Sequence, residues 1–220
     1  MAGRGFRTGG MVWDAGDELA AWICSAGAEA CFGWPWSSVT SALELGAGVG
    51  LLATTLALRR GVPLVVATDG DDSLCADASA NAARNGIGGG VRGMRLQWGC
   101  ESDCEQVLGA LGGRCSPLVL AADVLYDRSS TSIDALERTM RALLARGGCR
   151  LAVFAWRVRT CREESFLPRL ADLGRVETVW RSEGGDAPPA PGDEAALNEW
   201  AARNMGTRAI SVLRPFRTGV

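Results

Sequence analysis

A short turn of this chain alternates three glycines with other residues: Gly46, Gly48 and Gly50. An apolar run over 39–45 precedes the turn and an Ala/Leu-rich stretch over 51–59 follows it, which predicts a strand, a tight turn and a helix start. This order brings the backbone close to a nucleotide-like ligand. A second apolar run, 64–67, leads to Asp69, whose carboxylate can bind two ribose hydroxyls.

The glycine spacing distinguishes between cofactors. A dinucleotide turn follows G-x-G-x-x-G, and counting from Gly46 its third glycine would fall on Leu51. The pattern here is E-x-G-x-G-x-G, with Glu44 ahead of the turn. A carboxylate so close would repel a pyrophosphate, but it suits a ligand that carries an ammonium and a sulfonium. The residues therefore favour S-adenosylmethionine (SAM), and they disfavour an NAD-dependent oxidoreductase.

The composition restricts the chemistry that the side chains can perform. The 220 residues include no His, and all 23 basic residues are Arg, which removes Ser-His-Asp, Cys-His and Schiff-base catalysis. Methyl transfer remains feasible because the cofactor supplies the electrophile. The eight Cys form no C-x-x-C pair, so we expect no metal. We interpret them as reduced thiols of a cytoplasmic protein that can also be nuclear.

Charge and hydropathy exclude two classes of partner. The net charge is -2 without a basic block, so we expect no nucleic acid. No apolar run approaches the roughly 18 residues that a membrane span needs, and the N-terminus lacks the apolar core of a signal peptide. We expect a monomer that binds no membrane.

The elements that must position these residues alternate along the chain. The predicted strands are 40–45, 64–68, 94–98, 117–122, 150–156, 175–180 and 209–215. The predicted helices are 14–30, 50–59, 71–85, 102–111, 131–146, 162–173 and 194–203. We predict an α/β fold: a Rossmann-like, seven-stranded, mostly parallel sheet with helices on both faces, in three α/β/α layers. Residues 1–220 form one domain in this interpretation, with 1–10 a flexible arm and 182–193 a mobile loop.

Four polar or aromatic residues are expected to end strands at one edge of this sheet: Glu44, Asp69, Trp98 and Asp123. In a parallel sheet of this kind, ligands bind outside the carboxyl ends of the strands, near the point where the strand order reverses. The convergence of these four residues therefore predicts a site at that edge.

The chain resembles a known family, the small protein-lysine methyltransferases of the seven-β-strand, SAM-dependent class, also called methyltransferase family 16. The resemblance covers roughly 12–180 and rests on blocks that match in order: Val12-Trp13-Asp14-Ala15, Leu43–Gly50, Thr68-Asp69-Gly70, Asn81-x3-Asn85, Leu96-Gln97-Trp98-Gly99 and Ala121-Ala122-Asp123-Val124-Leu125-Tyr126. The last block contains the D-x-x-Y motif typical of this group, and Tyr126 is the only tyrosine of the chain.

The resemblance implies a role for each matching residue. The turn residues Gly46, Ala47 and Gly48 would lie against the methionine part of SAM, from which S-adenosyl-L-homocysteine is the product. Further cofactor contacts would come from Asp69 at the ribose, Trp98 at the adenine, and Trp13 and Ala122 in the pocket wall. Asp123 and Tyr126 would border the channel for the target lysine, which in this family belongs to proteins such as elongation factors, chaperones and other ATPases.

The chemistry of a lysine target sets a pH dependence. Its amine has a reference pKa of about 10.4, so the neutral form at pH 7 costs about 4–5 kcal/mol. Burial and the sulfonium lower that pKa, whereas Asp123 alone would raise it. We therefore assign Asp123 to capturing and aiming the ammonium, and Tyr126 to orienting the nitrogen lone pair. The predicted rate rises above pH 8.

Two alternatives to a lysine methyltransferase stay open at the level of sequence. The acceptor can be a histidine or arginine of a protein, or a small amine. The chain can also be a catalytically silent protein that keeps the fold and binds partners, although the joint presence of Glu44, Gly48, Asp69 and Asp123 argues against this.

Overall fold

A computed structural model describes residues 8–126, 130–160, 162–182, 187–189 and 193–216. Its seven strands are β1 (Ala42–Leu45), β2 (Val65–Asp69), β3 (Val91–Arg95), β4 (Leu118–Ala122), β5 (Leu151–Arg157), β6 (Gly174–Arg181) and β7 (Arg208–Pro215). The α-helices are α1 (Asp14–Ile23), α2 (Ala26–Phe32), α3 (Leu51–Arg60), α4 (Asp72–Arg84), α5 (Glu101–Ala110), α6 (Ser130–Ala145), α7 (Arg162–Phe166) and α8 (Glu194–Arg203). Short 3₁₀ turns cover Thr8–Gly10, Trp36–Ser38 and Leu167–Leu170.

All seven strands form one sheet in the order β3-β2-β1-β4-β5-β7-β6. The first five are mutually parallel, while β7 runs antiparallel to both β5 and β6. The predicted mostly parallel, seven-stranded sheet is therefore confirmed. The chain passes from β1 to β2 on one side and returns to β4 on the other, so the order reverses between β1 and β4, where this architecture binds ligands.

The sheet has an apolar core on each face, because its central strands are apolar at successive positions. One face packs against α5 and α6, with Leu43 and Leu45 of β1 pointing into that core. The other face packs against α1 and α3, and takes Ala42 of the same strand. The prediction that helices cover both faces of the sheet is therefore confirmed.

One strand lies three residues earlier than the sequence predicted. The expected strand 94–98 is observed as Val91–Arg95, because Gly93 belongs to the strand and not to the glycine-rich loop before it. A Cβ at Gly93 would overlap the backbone carbonyl of Cys75 in α4. The glycine is therefore a contact between strand and helix, and Trp98 lies in the loop beyond the strand.

Two predicted helices are interrupted. The single helix expected over 14–30 is two helices, because Ser25 leaves the helical conformation and its hydroxyl caps α2 by accepting a hydrogen bond from Ala28 N–H. The helix expected over 162–173 is the short α7 followed by a 3₁₀ turn that contains Pro168, which cannot continue an α-helix hydrogen-bond ladder.

The expected flexible arm at 1–10 lies mostly outside the described residues. Thr8–Gly10 forms a 3₁₀ turn, and Gly9 lies against Gly48 of the glycine-rich turn, whereas residues 1–7 lie outside the described part. Most of the predicted mobile loop, 183–186 and 190–192, also lies outside it. The assignment of 1–220 to one domain stays a prediction. Among the described helices, none combines the length and apolarity of a membrane span.

Replacing Gly93 with alanine is expected to lower the free energy of unfolding by about 3 kcal/mol, because the clash involves the backbone of α4 and not a movable side chain. Urea denaturation measures this change. Gly109→Ala is the matched control, since it lies within α5 and an added Cβ meets no atom within 4 Å; its stability should be unchanged or slightly raised. Equal stability of the two variants would contradict the assignment.

Candidate active site

A cavity of about 560 Å³ opens at the carboxyl edge of the sheet, beside the point where the strand order reverses. Its size is typical of small-molecule sites. All ten residues that the sequence singled out line it: Trp13, Glu44, Gly46, Ala47, Gly48, Asp69, Trp98, Ala122, Asp123 and Tyr126. The structure thus brings the candidate residues together, while the role of each stays a prediction.

The glycine-rich turn has a backbone that only glycine adopts readily. Gly46, Gly48 and Gly50 have φ angles of 64°, 52° and 82°, in the left-handed region. A Cβ at Gly48 would lie 2.6 Å from the carbonyl oxygen of Gly9. The turn is held to β2 by the N–H of Ala47, which donates to the Thr68 carbonyl at 2.8 Å. The cavity is therefore lined here by backbone.

Asp69 ends β2 and connects the turn to the next loop. Its Oδ2 accepts a hydrogen bond from Gly48 N–H at 3.0 Å, and its Oδ1 accepts one from Asp71 N–H at 3.1 Å. These two backbone donors fix the orientation of the carboxylate. Each carboxylate oxygen can accept more than one hydrogen bond, so Asp69 retains the capacity to accept from a ribose.

The sequence suggested that Glu44 ends its strand, but the structure shows that it does not. It is the third residue of β1, fully buried, and its Oε2 accepts a hydrogen bond from Ala53 N–H at 2.8 Å in the first turn of α3. Burial raises the pKa of this carboxyl to about 8, with the Ala53 hydrogen bond opposing the rise and Asp69 adding to it. No cation among the described residues acts on this carboxyl, so the group is mostly protonated at neutral pH.

This raised pKa predicts a stability that falls as pH rises. The folded-state pKa lies above the unfolded value, so Glu44 stabilises the fold fully below about pH 4.5 and loses that contribution as pH rises through about 8. Between pH 5 and 7 the loss is on the order of 2 kcal/mol. Urea unfolding of the ligand-free protein should show Glu44→Gln gaining stability over wild type across this range.

The control for that comparison is Glu29→Gln, because Glu29 is an exposed carboxylate on α2. Its stability relative to wild type should stay nearly constant from pH 5 to 8. If Glu44→Gln and wild type also give parallel curves, then Glu44 is not buried as a neutral carboxyl.

Two tryptophans lie at different parts of the cavity. Trp98 is half-buried in the loop after β3 and is near the turn, since a Cβ at Gly46 would lie 3.7 Å from Trp98 Cζ2. The neighbouring Gly99 N–H donates to Thr139 Oγ1 of α6 at 2.8 Å, which anchors this loop. Trp13 precedes α1 and is 39% exposed. A flat ring is thus available at two positions of the wall.

Asp123 follows β4 in a conformation that non-glycine residues seldom adopt. Its φ is 55°, which Asp tolerates better than most residues, and its N–H donates to the Ala155 carbonyl of β5 at 2.8 Å. Its buried carboxylate is paired with Arg159, Nη1 to Oδ1 at 2.6 Å and Nη2 to Oδ2 at 2.7 Å. A backbone strained at a cavity residue is a common feature of functional sites.

Arg159 was not among the site residues that the sequence predicted. Arg157 and Arg159 follow an apolar strand and were interpreted as solvated charges in preference to contacts with a protein substrate, and the partner of Arg159, Asp123, is distant along the chain. The hydrogen bonds that Arg159 donates to the Asp123 carboxylate raise the pKa of the guanidinium above its ordinary value, so Arg159 remains a cation. The sequence signal for Arg159 was its position just after the strand predicted over 150–156, which in the structure pairs with β4 beside the cavity.

The cavity has an apolar rim. Four large hydrophobic residues are substantially exposed there and also line the cavity: Met11, Val12, Trp13 and Tyr126. Gln97, beside Trp98, lines it as well. Exposed apolar residues that cluster around a cavity indicate a surface where a partner binds. Among the described residues, no cluster of three or more Cys, Asp or Glu could hold a metal ion.

Comparison with known sequences places these features in a family context. The sequence model of a family described as lysine methyltransferase matches residues 3–172. Protein-lysine N-methyltransferase EFM3 of Chaetomium thermophilum is 37% identical over 109 residues, which are 46% of this chain and 30% of that protein. The match therefore spans under a third of the length of this curated relative.

Solved structures share the fold at low sequence identity. The N-terminal domain of human METTL16 in complex with SAH is 12% identical, with a TM-score of 0.58, and the alignment covers 94% of this chain and 72% of that one. Precorrin 8w decarboxylase of Methanobacterium thermoautotrophicum is 18% identical, with a TM-score of 0.55, covering 98% and 96%. At these identities the similarity concerns the fold.

Proposed function

Because this chain belongs to the lysine methyltransferase family, we propose that it transfers methyl groups from SAM to the side-chain amine of a lysine in a protein substrate. The observation that supports this most is the shared cavity. The glycine-rich turn and Asp69 line the same cavity as Asp123 and Tyr126, so a methyl donor and an amine acceptor would meet within it.

The residues of the cavity fit SAM. Asp69 would accept from the ribose hydroxyls, the backbone of Gly46–Gly48 would lie along the methionine part, and Trp98 would cover the adenine. Glu44 would face the ammonium, whose charge favours the ionised form of the carboxyl. When bound, SAM supplies an electrophilic methyl carbon attached to a sulfonium. The human METTL16 domain, which shares this fold, is in complex with SAH.

The rim fits a lysine side chain. The apolar residues Met11, Val12, Trp13 and Tyr126 would pack along its aliphatic stem, and the carboxylate of Asp123 would hold its nitrogen. Asp123 would hold this nitrogen after the ammonium has lost a proton to solvent, so that its lone pair could accept the methyl group that SAM would supply, with the C–S bonding pair left on sulfur. The residues of the chain would contribute mainly by aligning nitrogen, methyl carbon and sulfur.

The test is transfer of radiolabelled methyl groups from SAM into hypomethylated cell lysate. The chain contains no Lys, so label on the enzyme's own band cannot be lysine self-methylation. Label in one other protein, mapped by mass spectrometry to a lysine, would support the proposal. Elongation factors, chaperones and other ATPases are the substrate classes to inspect first. The lysate should be a cytoplasmic fraction, and we expect the enzyme to act on it as a monomer.

Other outcomes would overturn the proposal. Label on histidine or arginine, or only in small molecules, would assign a different acceptor to the same cavity. SAM binding by calorimetry without any transfer would indicate a silent binding protein. Failure to bind SAM at all would remove the cofactor assignment.

A further inference from the structure

The pair between Asp123 and Arg159 is a feature that the proposed transfer does not by itself require. Arg159 comes from the segment after β5 and reaches Asp123 at the end of the neighbouring β4, where Ala122 pairs with Ala155. Both carboxylate oxygens are engaged, at 2.6 and 2.7 Å. The Asp123 side chain is only 6% exposed and that of Arg159 is 28% exposed. Bidentate pairs of this kind fix the orientation of both groups.

An unpaired carboxylate would hinder the chemistry that it helps to bind. A negative charge within about 4–6 Å of an amine favours the ammonium form and raises its pKa by about 1–3 units. Methyl transfer needs the neutral amine, so the same carboxylate that captures a lysine would keep it protonated. A guanidinium held against the carboxylate cancels most of this charge, while the oxygens can still accept hydrogen bonds.

We propose that Arg159 is a positioning residue, which holds the Asp123 carboxylate at the cavity and cancels its charge so that the target amine can be present in its neutral, nucleophilic form. This inference rests on the proposed function. Arg159 acts through Asp123. It affects the protonation state of the acceptor amine and makes no contribution to recognising the acceptor's shape.

The other charged groups near this pair are already engaged. Asp14 at the start of α1 faces Arg157 at 3.6 Å, and Glu163 of α7 is buried and accepts hydrogen bonds from the N–H and hydroxyl of Thr160. Both carboxylates act on Arg159 more weakly than Asp123 does. Tyr126, Glu44 and Asp69 also line the cavity. Asp123 is therefore the carboxylate that Arg159 neutralises directly.

The test is the pH dependence of single-turnover transfer to the purified lysate protein that wild type labels, with enzyme in excess, from pH 7 to 10. Arg159→Gln removes the charge but keeps a hydrogen-bond donor. Its transfer rate is expected to be about ten-fold below wild type at pH 8, and to approach wild type at pH 10, because the target amine then loses its proton about one unit later. Arg157→Gln, two residues away, is the matched control and should keep the wild-type profile.

The double variant Asp123→Asn/Arg159→Gln separates charge from contact. It removes both charges, so its transfer rate should be low at every pH. The pH at which that rate rises should nevertheless return to the wild-type value. Thermal unfolding gives a readout that is independent of activity. The Tm should fall in Arg159→Gln, where a buried carboxylate loses its cation, and recover in part in the double variant, while Arg157→Gln stays unchanged.

The outcomes distinguish this inference from the proposed function. No transfer by wild type would remove the proposed function and this inference with it. Transfer by wild type with a uniform fall across pH in Arg159→Gln would make Arg159 a structural residue only, and would overturn the inference alone. An upward shift in Arg159→Gln that the double variant does not reverse would also overturn it, because the shift would not depend on the Asp123 charge.

Discussion

Replacing Asp69 with alanine is expected to weaken SAM binding at least 100-fold, measured as Kd by isothermal titration calorimetry. Two losses add. The ribose hydroxyls lose their acceptor, and Gly48 N–H loses the Oδ2 partner that it contacts at 3.0 Å, so the glycine-rich turn is held against β2 less firmly, although the hydrogen bond from Ala47 N–H to the Thr68 carbonyl remains. Each hydrogen bond to a charged group contributes about 1.5–3 kcal/mol, and about 2.7 kcal/mol corresponds to 100-fold.

Asp72→Ala is the matched control. Asp72 lies on α4 three residues further along, is exposed, and pairs at 3.4 Å with the exposed Arg95. It does not line the cavity, so its Kd for SAM should stay within about two-fold of wild type. A similar small effect of Asp69→Ala would mean that Asp69 serves the turn without binding the cofactor, provided that thermal unfolding shows both variants to be folded.

The order of elements was predictable because local patterns determine it. Each continuous apolar run between glycines or helical stretches became a strand, and β4, β5 and β7 lie within a residue or two of their predicted positions. Parallel strands buried on both faces produce such runs. The antiparallel placement of β7 between β5 and β6 was not predicted, because pairing between distant strands leaves no local signal.

Two features were not predicted correctly from the sequence, the position of β3 and the role of Arg159, and each has a physical reason. Glycine normally indicates a turn, but Gly93 lies within β3, where the backbone of α4 passes too close for any side chain. A local pattern cannot reveal that approach. In the same way, the ten candidate residues that line the cavity could be predicted from sequence motifs, whereas Arg159 could not, since its importance depends on a pairing with Asp123 across two adjacent strands.

The second large effect is expected at Asp123. Asp123→Asn keeps the side-chain shape and tolerates the φ of 55°, but it replaces a carboxylate oxygen that would accept from the target nitrogen with an amide NH₂ group, which can only donate. It also leaves the Arg159 guanidinium without its counterion at the cavity, where it would repel a cationic substrate. We expect kcat/KM for the labelled lysate protein to fall at least 100-fold, which is about 2.7 kcal/mol, while the Kd for SAM stays within about three-fold.

Asp172→Asn is the control for this prediction, because Asp172 forms a similar two-oxygen pair with Arg141, at 2.8 and 3.1 Å, on the surface away from the cavity. It should leave transfer unchanged, since exposed pairs contribute little. Full activity of Asp123→Asn would rule out electrostatic capture and leave the apolar rim to bind the acceptor. A loss of SAM binding equal to the loss of transfer would instead place Asp123 in the cofactor site.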